Sequence, residues 1–273
     1  MREKILEVNQ LVFSYEKEKR VIDNLSVSIY SKEKIAVLGA NGAGKSTFFL
    51  NLNGVREPSS GEIIYRGESI QKKNKNVLRK NVGIVFQEAD HQIIASTVKA
   101  EVAFGPMNMK LPREEVEQRT LYAIKEMNLE AYVDRPPHYL SGGEKKRVSI
   151  ADILAMDSDV IIFDEPTASL DPVSASMLEE VLNKMDEAGK TILLSTHDVD
   201  FAFRFAERIL VFCDGRLIGD GTPESIFGDE DLLRKANLKK PTYLQIYELL
   251  LQKGIVKARA EIPKNLKEFE LLF

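Results

Sequence analysis

Gly39-Ala40-Asn41-Gly42-Ala43-Gly44-Lys45-Ser46 is the stretch whose residue types and spacing specify a chemistry most directly. It fits G-x-x-x-x-G-K-[ST], the pattern of a phosphate-binding loop for nucleoside triphosphates. Glycines at 39, 42 and 44 let the backbone curl until successive N–H groups face phosphate oxygens, with Asn41 inside the same curl. In such a loop Lys45 reaches the β and γ phosphates, the Ser46 hydroxyl serves Mg²⁺, and Thr47 follows at the mouth. The flanks fit as well. Ile35 to Leu38 is an apolar run suited to a buried strand, and from Thr47 onward Phe48, Phe49 and Leu52 give a helix with an apolar face. A helix start adds partial positive charge where the anion would sit. The competing reading is a glycine-rich turn without a ligand; lysine, hydroxyl and both flanks together weigh against it.

A second group of residues can work on what the first would bind. Val160-Ile161-Ile162-Phe163-Asp164-Glu165 is an apolar strand ending in two acids. A buried strand delivers such carboxylates at its C-terminal end, beside a phosphate loop. Asp164 is placed to bind Mg²⁺, directly or through water, and Glu165, one residue further out, to polarise an attacking water. Two acids capping the next turn would be the plainer explanation if this run stood alone.

The elements that must position these residues read as an α/β chain. Strand-like runs at Ile5–Val8, Leu25–Ile29 and Ile35–Leu38 precede the loop; Glu62–Tyr65 and Val82–Gln87 follow its helix. From about residue 90 the character turns helical. Pro112 opens a charged helix, Arg113–Met127, and Ser141 caps another whose Gly142-Gly143 leaves the backbone open to a ligand. Residues 88–157 therefore read as a helical subdomain inserted into the core. Val160–Phe163 and Thr191–Ser195 resume the strands, separated by a helix over Val173–Ala188. Arg208–Phe212 and Leu217-Ile218 form a hairpin through Asp214-Gly215, and Pro223 opens a short helix. Beyond Gly228 nothing further is required by the core. A helix over Tyr243–Leu251, with Tyr243, Tyr247, Leu250 and Leu251 on one stripe, packs on the core or serves a dimer contact.

Composition bounds the partners. The chain has 273 residues, 44% hydrophobic and 29% charged, with a net charge of −4. That balance gives no sign of a nucleic-acid surface. Cys213, the single cysteine, lies in an apolar run and reads as a small buried hydrophobe, suiting a reducing compartment. No apolar stretch approaches a membrane span and the N-terminus does not read as a signal peptide, so a cytoplasmic location is expected. Any membrane-spanning part must come from other chains.

Leu140-Ser141-Gly142-Gly143-Glu144 narrows the reading. It resembles the LSGGQ signature of ATP-binding cassette (ABC) proteins, with Glu144 at the glutamine position. A capped, glycine-rich helix start is an anion site in its own right. The resemblance implies that Ser141 to Glu144 bind the γ-phosphate of ATP held by a second cassette, so that two nucleotides are sandwiched between two subunits. Other family motifs follow in order. Tyr15 matches the aromatic that stacks on adenine, and Gln87 the Q-loop glutamine that contacts Mg²⁺ and water and senses the transmembrane partner. Ser169-Leu170-Asp171 matches the D-loop that crosses the dimer interface, and His197 the switch histidine at the γ-phosphate. His91 and His138 match nothing and read as loop residues. The family fold is a P-loop α/β domain with a mixed sheet, an antiparallel β part and the helical insertion. The resemblance covers about residues 4–228, leaving 229–273 as a C-terminal extension and candidate dimerisation element.

Phe86-Gln87-Glu88-Ala89-Asp90-His91-Gln92 is similar to the Q-loop region of energy-coupling-factor importers, with Ala89 where a proline is usual. Val102–Pro106 and Leu111–Glu115 resemble the same group. This implies the ATPase subunit of an importer for cobalt, nickel or a water-soluble vitamin, peripheral on the cytoplasmic face of the cell membrane. It would work with a second ATPase, a transmembrane scaffold and a small membrane substrate-capture subunit. The alternatives are the cassette of another transporter class and a non-transport ABC ATPase. The second lacks support in the short span between Lys45 and Ser141, where no sustained heptads appear.

Overall fold

The computed structural model describes residues 2–16, 19–167, 170–257 and 262–273. Strands β1 (Lys4–Glu16), β2 (Lys19–Tyr30) and β3 (Lys34–Leu38) lead through the glycine-rich loop into helix α1 (Lys45–Leu52). Then come β4 (Ser60–Tyr65), β5 (Glu68–Ser69), α2 (Asn76–Asn81) and β6 (Val82–Val85). The helical stretch contains α3 (Val98–Asn108), α4 (Arg113–Glu126) and α5 (Gly142–Met156). The chain returns through β7 (Val160–Phe163), α6 (Pro172–Glu187), β8 (Thr191–Ser195), α7 (Val199–Phe205), β9 (Arg208–Cys213) and β10 (Arg216–Gly221). It closes with α8 (Pro223–Gly228), α9 (Glu230–Ala236), α10 (Thr242–Gln252) and α11 (Leu266–Glu270).

Two sheets form. One is antiparallel, ordered β2-β1-β4-β5; the other runs β10-β9-β3-β8-β7-β6, parallel except for β10. The parallel strands are apolar along their length because both faces are covered. Ile35, Val37, Val160, Ile162, Leu193, Leu210 and Phe212 face a core shared with the antiparallel sheet and α1. Their alternate neighbours Ala36, Leu38, Ile161, Phe163, Ile192, Leu194, Ile209 and Val211 face a second core built with the helices. The period-2 alternation of a strand sorts one sequence run into two cores. All the parallel strands consequently run in one direction, and their C-terminal ends, which carry the loop and the acids, share one edge.

The structure departs from the sequence reading at several points. β6 stops at Val85, two residues before the expected end, because the carbonyls of Phe86 and Gln87 turn to the amine of Lys146. Helix α3 is an element that the sequence analysis does not delimit within the helical stretch, and it runs through Gly105-Pro106. Gly105 is needed there for close approach, since a Cβ would lie 2.4 Å from Cγ of Met156 on α5. Cys213 is only partly buried, its Sγ lying 3.6 Å from the Lys235 carbonyl at the end of β9. The residues after Gly228 contribute to packing: Leu233, Ala236 and Leu244 join the helix-side core, and Tyr247 and Phe269 are buried. Among the described residues no helix is long and apolar enough to cross a membrane.

Phe48 on α1 is fully buried, with its ring 5.2 Å from that of Phe212 on β9. Phe48→Ala should cost about 3–5 kcal/mol in a urea unfolding titration, by loss of transfer energy and opening of a cavity under the loop helix.

Candidate active site

β3 ends at Leu38 and the chain turns sharply at Gly39, whose φ is 146°. A Cβ there would sit 2.3 Å from the Phe212 carbonyl oxygen, so only glycine lets the loop start this close to β9. Lys45 folds back inside the curl. Its amine donates to the carbonyls of Gly39 at 2.7 Å and Ala40 at 3.2 Å, and the residue is 6% exposed. A pocket of about 350 Å³ opens over the loop, lined by Val21, Asn41 to Thr47, Gln87, Asp164, Glu165 and His197. Residues from the ends of β3, β6, β7 and β8 thus meet in one place.

The acids are held by a residue the sequence reading did not single out. The Asp164 N–H donates to the Val85 carbonyl at 2.9 Å, which extends the β6–β7 pairing by one step. Ser195, at the end of β8, donates its hydroxyl to Asp164 Oδ1 at 2.6 Å and accepts the Glu165 N–H at 2.9 Å. One side chain orients both acids. Glu165 has φ 47°, a left-handed conformation unusual for a non-glycine and of the kind that collects at functional sites. Its Oε1 is buried and accepts no well-aligned hydrogen bond from the described residues, though it lies 3.1 Å from His197 Nε2 and 4.0 Å from Lys45 Nζ. Burial raises the Glu165 carboxyl above its ordinary range, against the opposing pull of His197 and Lys45. Burial likewise depresses the Lys45 ammonium, opposed by Glu165 and Asp164.

Lys146 is the other residue that went unread. It lies on α5, is 4% exposed, and donates to the carbonyls of Phe86 at 2.7 Å and Gln87 at 3.1 Å. Burial pulls its ammonium down to about 8 against the attraction of Asp164 and Glu165. In sequence it hides in Lys145-Lys146-Arg147, which looks like a solvated charge run. The usable signal was periodicity: Lys146 shares a stripe with the buried Ile150 and Ile153 at i+4 and i+7.

The structure separates the remaining candidates from this pocket. Ser141 caps α5 in a full capping box: its Oγ accepts the Glu144 N–H at 3.3 Å, and Glu144 Oε2 accepts the Ser141 N–H at 2.7 Å and hydroxyl at 2.8 Å. Ser141 to Glu144 do not line the loop pocket. They adjoin the start of α6, where Asp171 caps by accepting the N–H groups of Val173 and Ser174; a Cβ on Gly143 would lie 3.3 Å from Ser174 Oγ and 3.8 Å from Asp171 Oδ2. Ser169 lies outside the described residues. Tyr15 stands beside the pocket with its hydroxyl 3.3 Å from Thr47 Oγ1. Its ring is half exposed, and the Arg56 guanidinium lies 5.2 Å from its centroid. His91 and His138 are exposed and do not line the pocket.

Among the described residues no group of three or more His, Cys, Asp or Glu side chains could hold a metal ion alone. Ser46, Gln87 and Asp164 instead line the same pocket with hydroxyl, amide and carboxylate oxygens. That hard but incomplete donor set fits Mg²⁺ shared with phosphate oxygens.

The chain is similar to known proteins over most of its length. Residues 22–168, more than half of the chain, match the family model described as ABC transporter. A putative ABC transporter ATP-binding protein of Methanosarcina acetivorans is 50% identical over 266 residues, 96% of this chain and 82% of that one. The energy-coupling factor transporter ATP-binding protein EcfA of Methanocaldococcus jannaschii is 45% identical over 97% of this chain and 99% of its own. Among solved structures, cbiO1 of Clostridium perfringens, described as part of the ABC transporter complex cbiONQ, superposes with a TM-score of 0.74 at 38% identity, covering 91% of this chain and 99% of that chain. A dimeric ATP-binding cassette in a post-hydrolysis state with ADP and Pi gives a TM-score of 0.72 at 28% identity, covering 80% of this chain and 99% of that chain.

Ser195→Ala would strip a donor from the buried Asp164 carboxylate and an acceptor from the Glu165 N–H. The variant should lose about 1–3 kcal/mol of stability in chemical denaturation. Its ATP hydrolysis should fall more than its ATP binding, as measured by steady-state turnover and nucleotide titration.

Proposed function

The chain belongs to the ABC transporter family of ATPases, and we propose that it is the ATP-hydrolysing subunit of an energy-coupling-factor importer for cobalt, nickel or a water-soluble vitamin. One observation carries the catalytic part of this reading. Lys45, Asp164, Glu165 and His197 converge on one pocket, while Ser141 to Glu144 of the same chain lie outside it. A chain that holds both halves of a phosphate site apart needs a second cassette to bring them together. The near full-length likeness to a protein named EcfA supports the importer class. It also supports peripheral attachment to a membrane scaffold and a substrate-capture subunit, the chain acting from the cytoplasmic face.

In this reading the loop N–H groups and the Lys45 amine bind the β and γ phosphates, and Tyr15 stacks on the adenine. Ser46, Gln87 and Asp164 would hold Mg²⁺, which when bound screens the charge on the phosphate oxygens. Glu165 accepts a proton from water as the water oxygen attacks the γ-phosphorus in line and ADP departs. The raised proton affinity of Glu165 suits a base, and His197 beside its Oε1 keeps it oriented. Ser141 to Glu144, with Asp171 next to them, complete the pocket of the second copy. Closure on two ATP molecules moves the partner seated near Gln87, and hydrolysis reopens the pair.

Glu165→Gln protein should bind ATP and form a stable ATP-dependent dimer with turnover reduced roughly 10²–10⁴-fold; wild-type turnover would remove Glu165 as the base. Because the Glu165 carboxyl is held above its ordinary range, wild-type turnover should already decline as pH falls through values above that range. Purification from native membranes in mild detergent, followed by mass spectrometry, tests the importer reading. A transmembrane scaffold with a small integral capture protein supports it, and recovery with a soluble-substrate-receptor system or with no membrane protein overturns it.

A further inference from the structure

α5 carries two features that face different places. Its first turn is Ser141 to Glu144, outside the loop pocket. Two residues beyond Glu144, about half a turn further along, Lys146 points into the protein and donates to the carbonyls of Phe86 and Gln87. These bonds end β6 and fix the backbone from which the Gln87 side chain enters the pocket. A lysine 4% exposed is costly to keep unless its amine is bonded where the fold needs it. Here those bonds go to neutral carbonyls of one specific turn. Hydrophobic packing alone would be served better by a leucine or methionine at this position.

We propose that Lys146 is a positioning residue that ties the signature helix to Gln87, so that engagement of the second copy's nucleotide at Ser141 is transmitted to this chain's own pocket. The inference rests on the dimer reading given above. A rigid helix moved at its first turn carries Lys146 with it, and the Phe86–Gln87 carbonyls follow the amine. Gln87, which already lines the pocket in the single chain, therefore shifts within it as α5 is seated against the other nucleotide. Each site senses the occupancy of the other through one buried amine. Other elements reinforce this path: the Gln92 amide donates to the Ser149 carbonyl and to Asp152 on α5 and accepts the Phe86 N–H, so the turn is gripped from a second side.

The test uses the full-length chain and three measurements: binding of a fluorescent ATP analogue, steady-state hydrolysis against ATP concentration, and dimer mass by analytical ultracentrifugation. The parent should hydrolyse ATP cooperatively, with a Hill coefficient approaching about 2 for two coupled sites. Lys146→Met keeps the apolar stem of the side chain and removes the amine donor. It should bind nucleotide as the parent does and form the dimer, with turnover roughly 10–100-fold lower for a misplaced Gln87 and a Hill coefficient near 1. Lys146→Gln restores a neutral donor and should recover most of the turnover and cooperativity. Parental turnover and cooperativity in Lys146→Met would overturn the proposal. A parent that neither dimerises with ATP nor hydrolyses it cooperatively would overturn the dimer reading itself, a result distinct from an effect confined to the variants.

Discussion

Opposite charges buried together at the C-terminal edge of the parallel sheet are the constraint on which the site depends. Lys45 and Lys146 are both almost fully buried, as are Asp164 and Glu165. Each would be expensive to bury alone, and each is made tolerable by the others. The attraction of the acids opposes the burial penalty on both lysines, and Lys45 and His197 oppose it on Glu165. The balance leaves Glu165 with one oxygen that no donor among the described residues satisfies well. A carboxylate kept in that state has a raised proton affinity, and Ser195 fixes the backbone that carries it.

The sheet makes this charge cluster possible. Strands apolar on both faces cannot carry ionisable groups along their length, so the groups gather where the strands end. Because β3, β7 and β8 are adjacent and parallel, the loop lysine, the two acids and Ser195 arrive within hydrogen-bonding or ion-pairing reach from three separate stretches of chain. The strained backbone at Glu165 is held by bonds on both sides of it: Asp164 to β6 and Glu165 to β8.

The helical stretch is joined to this edge by polar contacts rather than by a deep apolar seam alone. Glu101, 2% exposed, accepts the N–H groups of Ile94 and Ala95, ordering the chain after the Q-loop turn. Asp152 on α5 bonds Gln92, and burial pushes its carboxyl up to about 7. Ion pairs from Glu126 to Lys184 and from Asp157 to Lys190 span to α6 and to the loop before β8. Hydrogen bonds and ion pairs of this kind fix the elements in defined relative positions. On the far side α9 and α10 close the helix-side core through Leu233, Ala236 and Leu244, leaving Ile246 and Leu249 exposed.

Some of this was determined by the sequence alone. Gly39 to Ser46 with its flanking strand and helix, Val160 to Glu165, and the Ser141 cap are local patterns, and local backbone geometry depends on neighbours in sequence. Those elements lie where the residues placed them, with β8 and α4 within a residue of expectation. Tertiary structure alone decided what depends on residues far apart in sequence. Ser195 reads as the last residue of an apolar strand until β8 is laid beside β7. Lys146 reads as part of an exposed basic run until α5 is docked on the Q-loop turn. Gly105 reads as an ordinary residue of the helical stretch until α3 is packed on α5, where a Cβ would meet the Met156 side chain. The physical reason is the same in each case: a hydrogen bond or a close approach between elements is fixed by their packing, and one residue's identity does not reveal which distant group will face it.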